Sequence, residues 1–230
     1  MKRIGIIGGM APESTQLYYK YIIEEARKRL GDHNYPEIII YSVNFQKFIN
    51  WMKNGAWRNV ADALVDIIYR LRDAGADFAL IATNTMHIVF DEVSRRSPIP
   101  LLSIIDAVAD EILKCNIKIV GLLGTRYTMT EDFYKVRLNK LGIEVIIPPS
   151  DDIDLVHYII FEELVKGIIR DKSKSELLRI IKGFEKEGAG GVILGCTEIP
   201  MIITQEDVNI KLFDTTKIHA VKALEYALNK

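Results

Sequence analysis

Two stretches of the chain decide the fold, because each is a short apolar run that stops in a small polar loop. The first reads Leu80-Ile81-Ala82-Thr83-Asn84-Thr85-Met86-His87, and the second reads Val192-Ile193-Leu194-Gly195-Cys196-Thr197-Glu198-Ile199. Short apolar runs closed by polar residues are typical of buried parallel strands. Thr83 stands in the first loop where Cys196 stands in the second, 113 positions later (196 − 83). The pair therefore predicts one site that uses two equivalent strand ends.

Other apolar runs extend this pattern along the whole chain. Strands are predicted near 3–7, 37–43, 77–82, 99–104, 117–123, 143–147, 190–194 and 210–213. Helical patterns lie between most of them, and the clearest runs from Asn59 to Asp73. Its apolar stripe has helical spacing and consists of Val60, Leu64, Ile67, Ile68 and Leu71. Alternating strands and helices predict an α/β fold with parallel sheets.

The two halves of the chain also match each other in the same order. Gly5–Met10 matches Gly121–Arg126 (121 − 5 = 116), and Asp106 matches Asp214 (214 − 106 = 108), around the Thr83/Cys196 match. These matches predict two similar lobes related by a pseudo-two-fold duplication, each a parallel sheet flanked by helices. Ligands of open α/β sheets bind beyond the carboxyl ends of the strands, so we expect the site in the cleft between the lobes. We assign residues 1–105 plus 209–230 to the first lobe and 106–208 to the second.

Composition excludes several classes of partner. The 30 basic and 31 acidic residues nearly cancel, which leaves no basic field for nucleic acid. No apolar run approaches the ~18 residues of a membrane span, and no secretory-type segment precedes the first strand. The two cysteines, Cys115 and Cys196, are too few for a disulfide framework. A reduced, cytoplasmic chain is the natural expectation.

Cys196 and Thr83 are the candidate chemical groups. A thiol at a strand end can serve as nucleophile or base, although a lone cysteine is more often a small buried hydrophobe. A threonine hydroxyl can donate, accept or relay a proton only with the help of a neighbour, and Thr83 could equally be a polar loop residue. Asn84, Thr85 and Thr197 add neutral polar groups that suit a carboxylate.

The remaining polar positions are less specific. Residues 5–9 read Gly-Ile-Ile-Gly-Gly, which departs from the dinucleotide fingerprint and favours a carboxylate on backbone N–H groups at the helix start. The loop at 125–130 is its counterpart in the second lobe. Lys166 lies late in an amphipathic helix, where most lysines are surface residues. The histidines His87, His157 and His219 have no metal-ligand spacing.

Taken together, these loops resemble the aspartate/glutamate racemase family over nearly the whole chain. The motifs that carry the resemblance are Gly8–Thr15, Thr83–His87, Gly124–Met129 and Gly195–Ile199. The resemblance implies a cofactor-independent enzyme in which two cysteines on opposite faces of the α-carbon remove and return a proton. Cys196 corresponds to the second cysteine. Thr83 replaces the first, as in a single-cysteine branch of the family where the threonine has the acid/base role.

The resemblance also implies the other site residues. The α-carboxylate would meet Asn84, Thr85 and Thr197, with Thr125 and Thr128 nearby, and Lys166 would bind the side-chain carboxylate of aspartate or glutamate. Met52 replaces a polar substrate contact, and Met10 and Glu198 complete the substrate-binding set. A homodimer is expected. Three alternatives stay open: a single-cysteine decarboxylase, a hydantoin-type racemase, and a binding protein for acidic amino acids without catalysis.

Overall fold

The computed structural model describes residues 1–229 and confirms the eight predicted strands. In chain order they are β1 Ile4–Gly8, β2 Ile38–Ser42, β3 Phe78–Ile81, β4 Leu101–Leu102, β5 Ile119–Gly124, β6 Glu144–Ile146, β7 Gly191–Gly195 and β8 Lys211–Asp214. The α-helices are α1 Pro12–Leu30, α2 Phe45–Lys53, α3 Trp57–Asp73, α4 Phe90–Arg96, α5 Ile104–Lys114, α6 Arg126–Thr130, α7 Asp132–Asn139, α8 Ser150–Tyr158, α9 Asp171–Lys186 and α10 Thr215–Leu228. The predicted helix at 59–73 is therefore confirmed as α3.

The first unit comprises Met1–Ile104 and the chain from Thr216 onward. Its four strands are parallel in the order β2-β1-β3-β4, with Ile7 beside Ile81 in the register. Ile4, Ile6, Phe78 and Leu80 face a core that also contains residues of α1 and α10. Helix α10 contributes three small side chains, Ala220, Ala223 and Ala227. Small residues let this helix pack closely on the sheet.

The second unit comprises Ile105–Thr215, and its parallel strands have the order β6-β5-β7-β8. Its core packs Leu123, Val192 and Leu194 against the apolar face of α9. Gly121 allows this contact, because a Cβ there would lie 2.3 Å from the Phe184 ring. None of the helices described for residues 1–229 combines the length and apolar character that crossing a bilayer requires.

The two sheets have the same strand order, which confirms the predicted pair of similar α/β lobes. Two details of the repeat are corrected. Strand β8 pairs with β7, so residues 209–215 belong to the second unit and only α10 returns to the first. Asp214 ends β8 whereas Asp106 lies inside α5, so these two residues are not equivalent.

Candidate active site

In the first unit, the predicted site residues follow strands that are neighbours in the sheet. The Ala82 N–H donates to the Ile7 carbonyl at 2.9 Å, so the loops after β1 and β3 leave the same edge. Met10 follows β1, while Thr83, Asn84 and Thr85 follow β3. Met52 lies on α2, the helix after β2, and is buried. Parallel strands thus bring Met10, Thr83, Asn84 and Thr85 to one edge of the sheet.

The glycine turn after β1 is closed by its own helix. The Gly9 N–H donates to Thr15 Oγ1 at 2.8 Å, and Gly9 has a left-handed φ of +89°. A Cβ on Gly9 would lie 2.7 Å from the Val43 nitrogen, so the close approach to the loop after β2 requires glycine. The sequence suggested that this N–H would hold a carboxylate. Thr15 already occupies it.

The Thr83 loop is held tightly by backbone bonds. Thr83 is partly buried, whereas Asn84 and Thr85 are buried. A 3₁₀ turn spans Thr85–Val89, and the His87 N–H donates to the Asn84 carbonyl at 2.9 Å. The His87 ring bonds the Thr83 carbonyl through Nδ1, also at 2.9 Å. The loop therefore presents Thr83 from a fixed backbone.

In the second unit, Thr125 and Cys196 follow neighbouring strands, since Gly124 lies beside Gly195. Thr125 caps α6 and accepts the Thr128 N–H at 3.3 Å. Thr128 has no exposed surface, and its hydroxyl lies 3.1 Å from that of Thr125. The prediction of Thr128 near the substrate is thus refined, because its side chain supports Thr125 from within the core.

Cys196 forms a compact polar cluster with the two residues that follow it. Its thiol donates to Glu198 Oε2 at 2.9 Å, and the Thr197 hydroxyl donates to the same oxygen at 2.7 Å. All three residues are buried. Glu198, predicted as a substrate-binding residue, has its carboxylate in contact with the thiol. The sequence analysis did not anticipate this contact.

The surroundings keep this thiol protonated. Burial raises the pKa of Cys196 well above its usual value, and the Glu198 charge and hydrogen bond raise it further. The backbone N–H groups of Thr197 and Glu198 oppose the shift. A buried thiol of this kind serves first as a proton donor. It becomes a base only when its proton leaves, and the Glu198 carboxylate already accepts that proton in a hydrogen bond.

The Glu198 charge has a measurable effect on thiol reactivity. We expect Glu198→Gln to lower the Cys196 pKa and to accelerate its alkylation by iodoacetamide at pH 8 about tenfold, the equivalent of one pKa unit. Peptide mass spectrometry would follow Cys196 with the exposed Cys115 as an internal reference. Glu206→Gln removes the same charge from an exposed position and should leave the rate unchanged. Equal rates in parent and Glu198→Gln would contradict the role given to the carboxylate.

Comparison with known proteins places these loops in a family. The model of the Asp/Glu/hydantoin racemase family matches residues 7–223. The chain belongs to this family. A crystal structure of an aspartate racemase homologue from Pyrococcus horikoshii is 46% identical with a TM-score of 0.89, and the match covers 100% of both chains. The Picrophilus torridus aspartate racemase is 25% identical with a TM-score of 0.78, over 99% of this chain and 94% of that one.

A curated relative, the broad specificity amino-acid racemase RacX of Bacillus subtilis, is 30% identical. The match spans 62% of this chain and 63% of the relative, less than two thirds of that protein's length.

Lys166 of this racemase-family chain is paired with an acidic neighbour. It ends the 3₁₀ turn Leu164–Lys166, and its ammonium contacts Glu162 Oε2 at 2.6 Å. Both side chains are about half exposed, at 54% and 51%. An exposed ion pair of this kind is worth little, so exchange of Glu162 for another carboxylate would cost little stability.

His157 makes the second unit of this racemase-family chain sensitive to pH. The Arg126 N–H donates to His157 Nδ1 at 3.2 Å, which requires an unprotonated nitrogen. Burial lowers the pKa of His157, the Arg126 charge lowers it further, and Asp154 opposes both. The unfolded chain therefore binds this proton at a higher pH than the folded chain. The contribution of His157 to the free energy of unfolding is therefore complete above pH ~6.5, which is the pKa of a histidine in the unfolded chain. This contribution is lost as the pH falls below that value.

We expect His157→Asn to flatten this dependence, because the asparagine Oδ1 can keep the Arg126 bond without titrating. Melting temperatures of parent and variant between pH 7.5 and 5 would check it. Every other titrating group is common to both proteins, so the difference between the two curves isolates His157. The parent should lose more stability than the variant on acidification. Parallel curves would refute this.

Proposed function

We propose that the chain is a cofactor-independent racemase of acidic amino acids, aspartate, glutamate or both, in which Cys196 and Thr83 move the α-proton. The observation that carries the proposal is the buried Cys196 thiol, 2.9 Å from the Glu198 carboxylate at the end of β7. Family membership and the two aspartate racemase comparisons support this reaction class. Broad specificity in the Bacillus relative is consistent with more than one substrate.

The proposed reaction begins with activation of the thiol. The Cys196 proton passes to Glu198 Oε2, along the existing hydrogen bond. The resulting thiolate removes the α-proton of the substrate and becomes a thiol again. Thr197 donates to the same carboxylate oxygen, which fixes the acceptor in place. Glu198 thus acts through Cys196 in this scheme rather than on the substrate side chain.

Removal of an α-proton leaves negative charge on the substrate carboxylate, and this charge must be stabilised. The Thr197 hydroxyl already donates its one proton to Glu198. The side chains of Asn84 and Thr85 are suited to the task, because they are neutral donors that follow the end of β3. Fixed donors aimed at developing charge are usually the largest single contribution to such catalysis. We assign the α-carboxylate to these residues. Lys166 would take the side-chain carboxylate after leaving Glu162.

Thr83 would return a proton on the opposite face of the α-carbon. Its hydroxyl is far less acidic than a thiol, so it can give up its proton only as it receives another from solvent water, and the proton held by Glu198 returns to solvent to close the cycle. Cys196 can act in both directions, but Thr83 is a poor base. The two enantiomers should therefore behave differently, with exchange of the proton that faces Cys196 faster than inversion.

Proton NMR of L- and D-aspartate and of L- and D-glutamate in heavy water tests the function. Loss of the α-proton signal, together with formation of the other enantiomer on a chiral column, would support the racemase. Release of CO₂ from malonates in place of exchange would identify a decarboxylase, and turnover of hydantoins a hydantoin-type racemase. Calorimetric binding of aspartate without any exchange would identify a binding protein. Each of these last three results would overturn the proposal.

The remaining expectations concern assembly. The homodimer implied by the family resemblance stays a prediction, and light scattering of the purified chain would check it.

A further inference from the structure

We propose that His87 is the positioning residue of Thr83, held as a neutral ring of one fixed tautomer by a buried network. The inference rests on the proposed function in one respect, since Thr83 is the proton-relaying group there. The network itself is visible independently in the first unit. It also explains a histidine for which the sequence offered no role.

Both nitrogens of the His87 ring have backbone partners that define their protonation. The Ile104 N–H donates to Nε2 at 3.1 Å, so Nε2 carries no proton. The proton therefore sits on Nδ1, which donates to the Thr83 carbonyl at 2.9 Å. The side chain is 3% exposed and its ring stacks on Phe90, with centroids 5.0 Å apart and planes within 4°. The ring thus bridges the start of α5 to the loop after β3.

A second histidine holds the other end of this bridge. His219 Nε2 donates to the Leu102 carbonyl in β4 at 3.2 Å, two residues before Ile104. Its Nδ1 lies 2.8 Å from the Tyr18 hydroxyl, which donates to it when the ring is neutral. His219 and Tyr18 are fully buried. Tyr18 of α1 and His219 of α10 therefore fix the backbone that supplies the Ile104 N–H.

The hydrogen bond from His87 to the Thr83 carbonyl fixes the orientation of the Thr83 backbone. The Thr83 carbonyl belongs to the peptide that links Thr83 to Asn84, so its direction is tied to the backbone from which both side chains project. A hydroxyl that must meet a reacting carbon tolerates little error, and a displacement of about 1 Å can cost about 100-fold in rate. His87 would therefore act through Thr83 without touching the substrate.

Substitution of His87 by asparagine or by glutamine tests separately the ring's contact with Thr83 and its contact with Ile104. The asparagine Nδ2 lies near the position of the histidine Nδ1, so His87→Asn can keep the donor to Thr83. The glutamine side-chain oxygen reaches the position of Nε2, so His87→Gln can keep only the acceptor for Ile104. Both variants lose the ring that stacks on Phe90, so the two lose a similar amount of packing. We expect His87→Gln to lower kcat for racemisation about 30-fold at nearly constant KM, and His87→Asn to keep kcat within about threefold of the parent.

Phe90→Leu serves as the packing control, because it removes the stacked ring and neither polar contact. Its melting temperature should fall while kcat stays within about twofold. Equal kcat losses in His87→Asn and His87→Gln, tracking their stability, would show that the ring is structural only. His87 would then have no role in positioning Thr83.

Hydrogen exchange of the loop gives a readout that needs no substrate. Peptides covering 83–89 should exchange faster in His87→Gln than in His87→Asn, measured by mass spectrometry on the full chain. Equal exchange rates would overturn the positioning role. If the parent turns over no aspartate or glutamate, the proposed function fails, and this exchange comparison still decides whether His87 holds the Thr83 loop.

Discussion

Replacement of Cys196 by alanine should abolish α-proton exchange from both enantiomers of aspartate and glutamate, by about 1,000-fold or more. General acid and base groups contribute about 10²–10⁴-fold, and this thiol is assigned to the step on which both directions depend. The α-proton signal in heavy water, followed by NMR, measures the effect. Because the side chain that is removed is small, the cost in stability should be only about 1 kcal/mol.

Two comparisons keep this test specific. Cys115→Ser changes the other, exposed cysteine and should leave exchange unchanged. Calorimetry should show that Cys196→Ala still binds aspartate, since the thiol is given no role in holding carboxylates. Full exchange activity in Cys196→Ala would remove the cysteine from the mechanism, whatever its position in the fold.

Substitutions of Thr83 should separate exchange from inversion. Thr83→Val has nearly the same shape without the hydroxyl, and we expect it to lower racemisation about 100-fold while proton exchange at the Cys196 face continues. Thr83→Ser restores the hydroxyl and should keep most of the racemisation. Thr83→Cys supplies a second thiol, which can act as a base, and should bring the exchange rates from L- and D-aspartate close together.

The measurement is deuterium uptake from each pure enantiomer, with chiral chromatography of the product. In the parent protein, the two enantiomers should exchange at clearly different rates. Equal rates in the parent, or unchanged racemisation in Thr83→Val, would contradict an asymmetric Thr83/Cys196 pair. A different residue would then have to supply the second proton.

The fold could be predicted from the sequence because its signals are local. Each strand is an apolar run closed by glycine or polar residues, and the runs around Thr83 and Cys196 fall on equivalent strands of two sheets with the same order. The edge of the sheet on which these residues lie follows from parallel strand direction alone. What the local signal did not reveal was where the last strand pairs. Strand β8 pairs with β7, so the predicted assignment of 209–215 to the first lobe was wrong.

The site was predicted less completely, because its support comes from distant parts of the chain. Cys196, Thr197 and Glu198 are adjacent, yet only the structure shows the carboxylate on the thiol. His87 was dismissed for want of metal-ligand spacing. Its ring is held by Ile104, 17 residues away, and the neighbouring His219 bonds Tyr18 across 201 residues. The sequence signal for this histidine is its position four residues after Thr83 in the same motif.

The division of the chain into units has a consequence for the order of folding during synthesis. The second unit is one uninterrupted segment, Ile105–Thr215, whereas the first is completed only by α10. The core beneath β1 and β3 lacks Ala220, Ala223 and Ala227 until that helix has emerged from the ribosome. The part that is translated first is therefore finished last, and Thr83 acquires its final surroundings after Cys196 does. Until then, Tyr18 lacks its hydrogen-bond partner His219, and the apolar residues of the first unit that pack against α10 stay exposed to solvent.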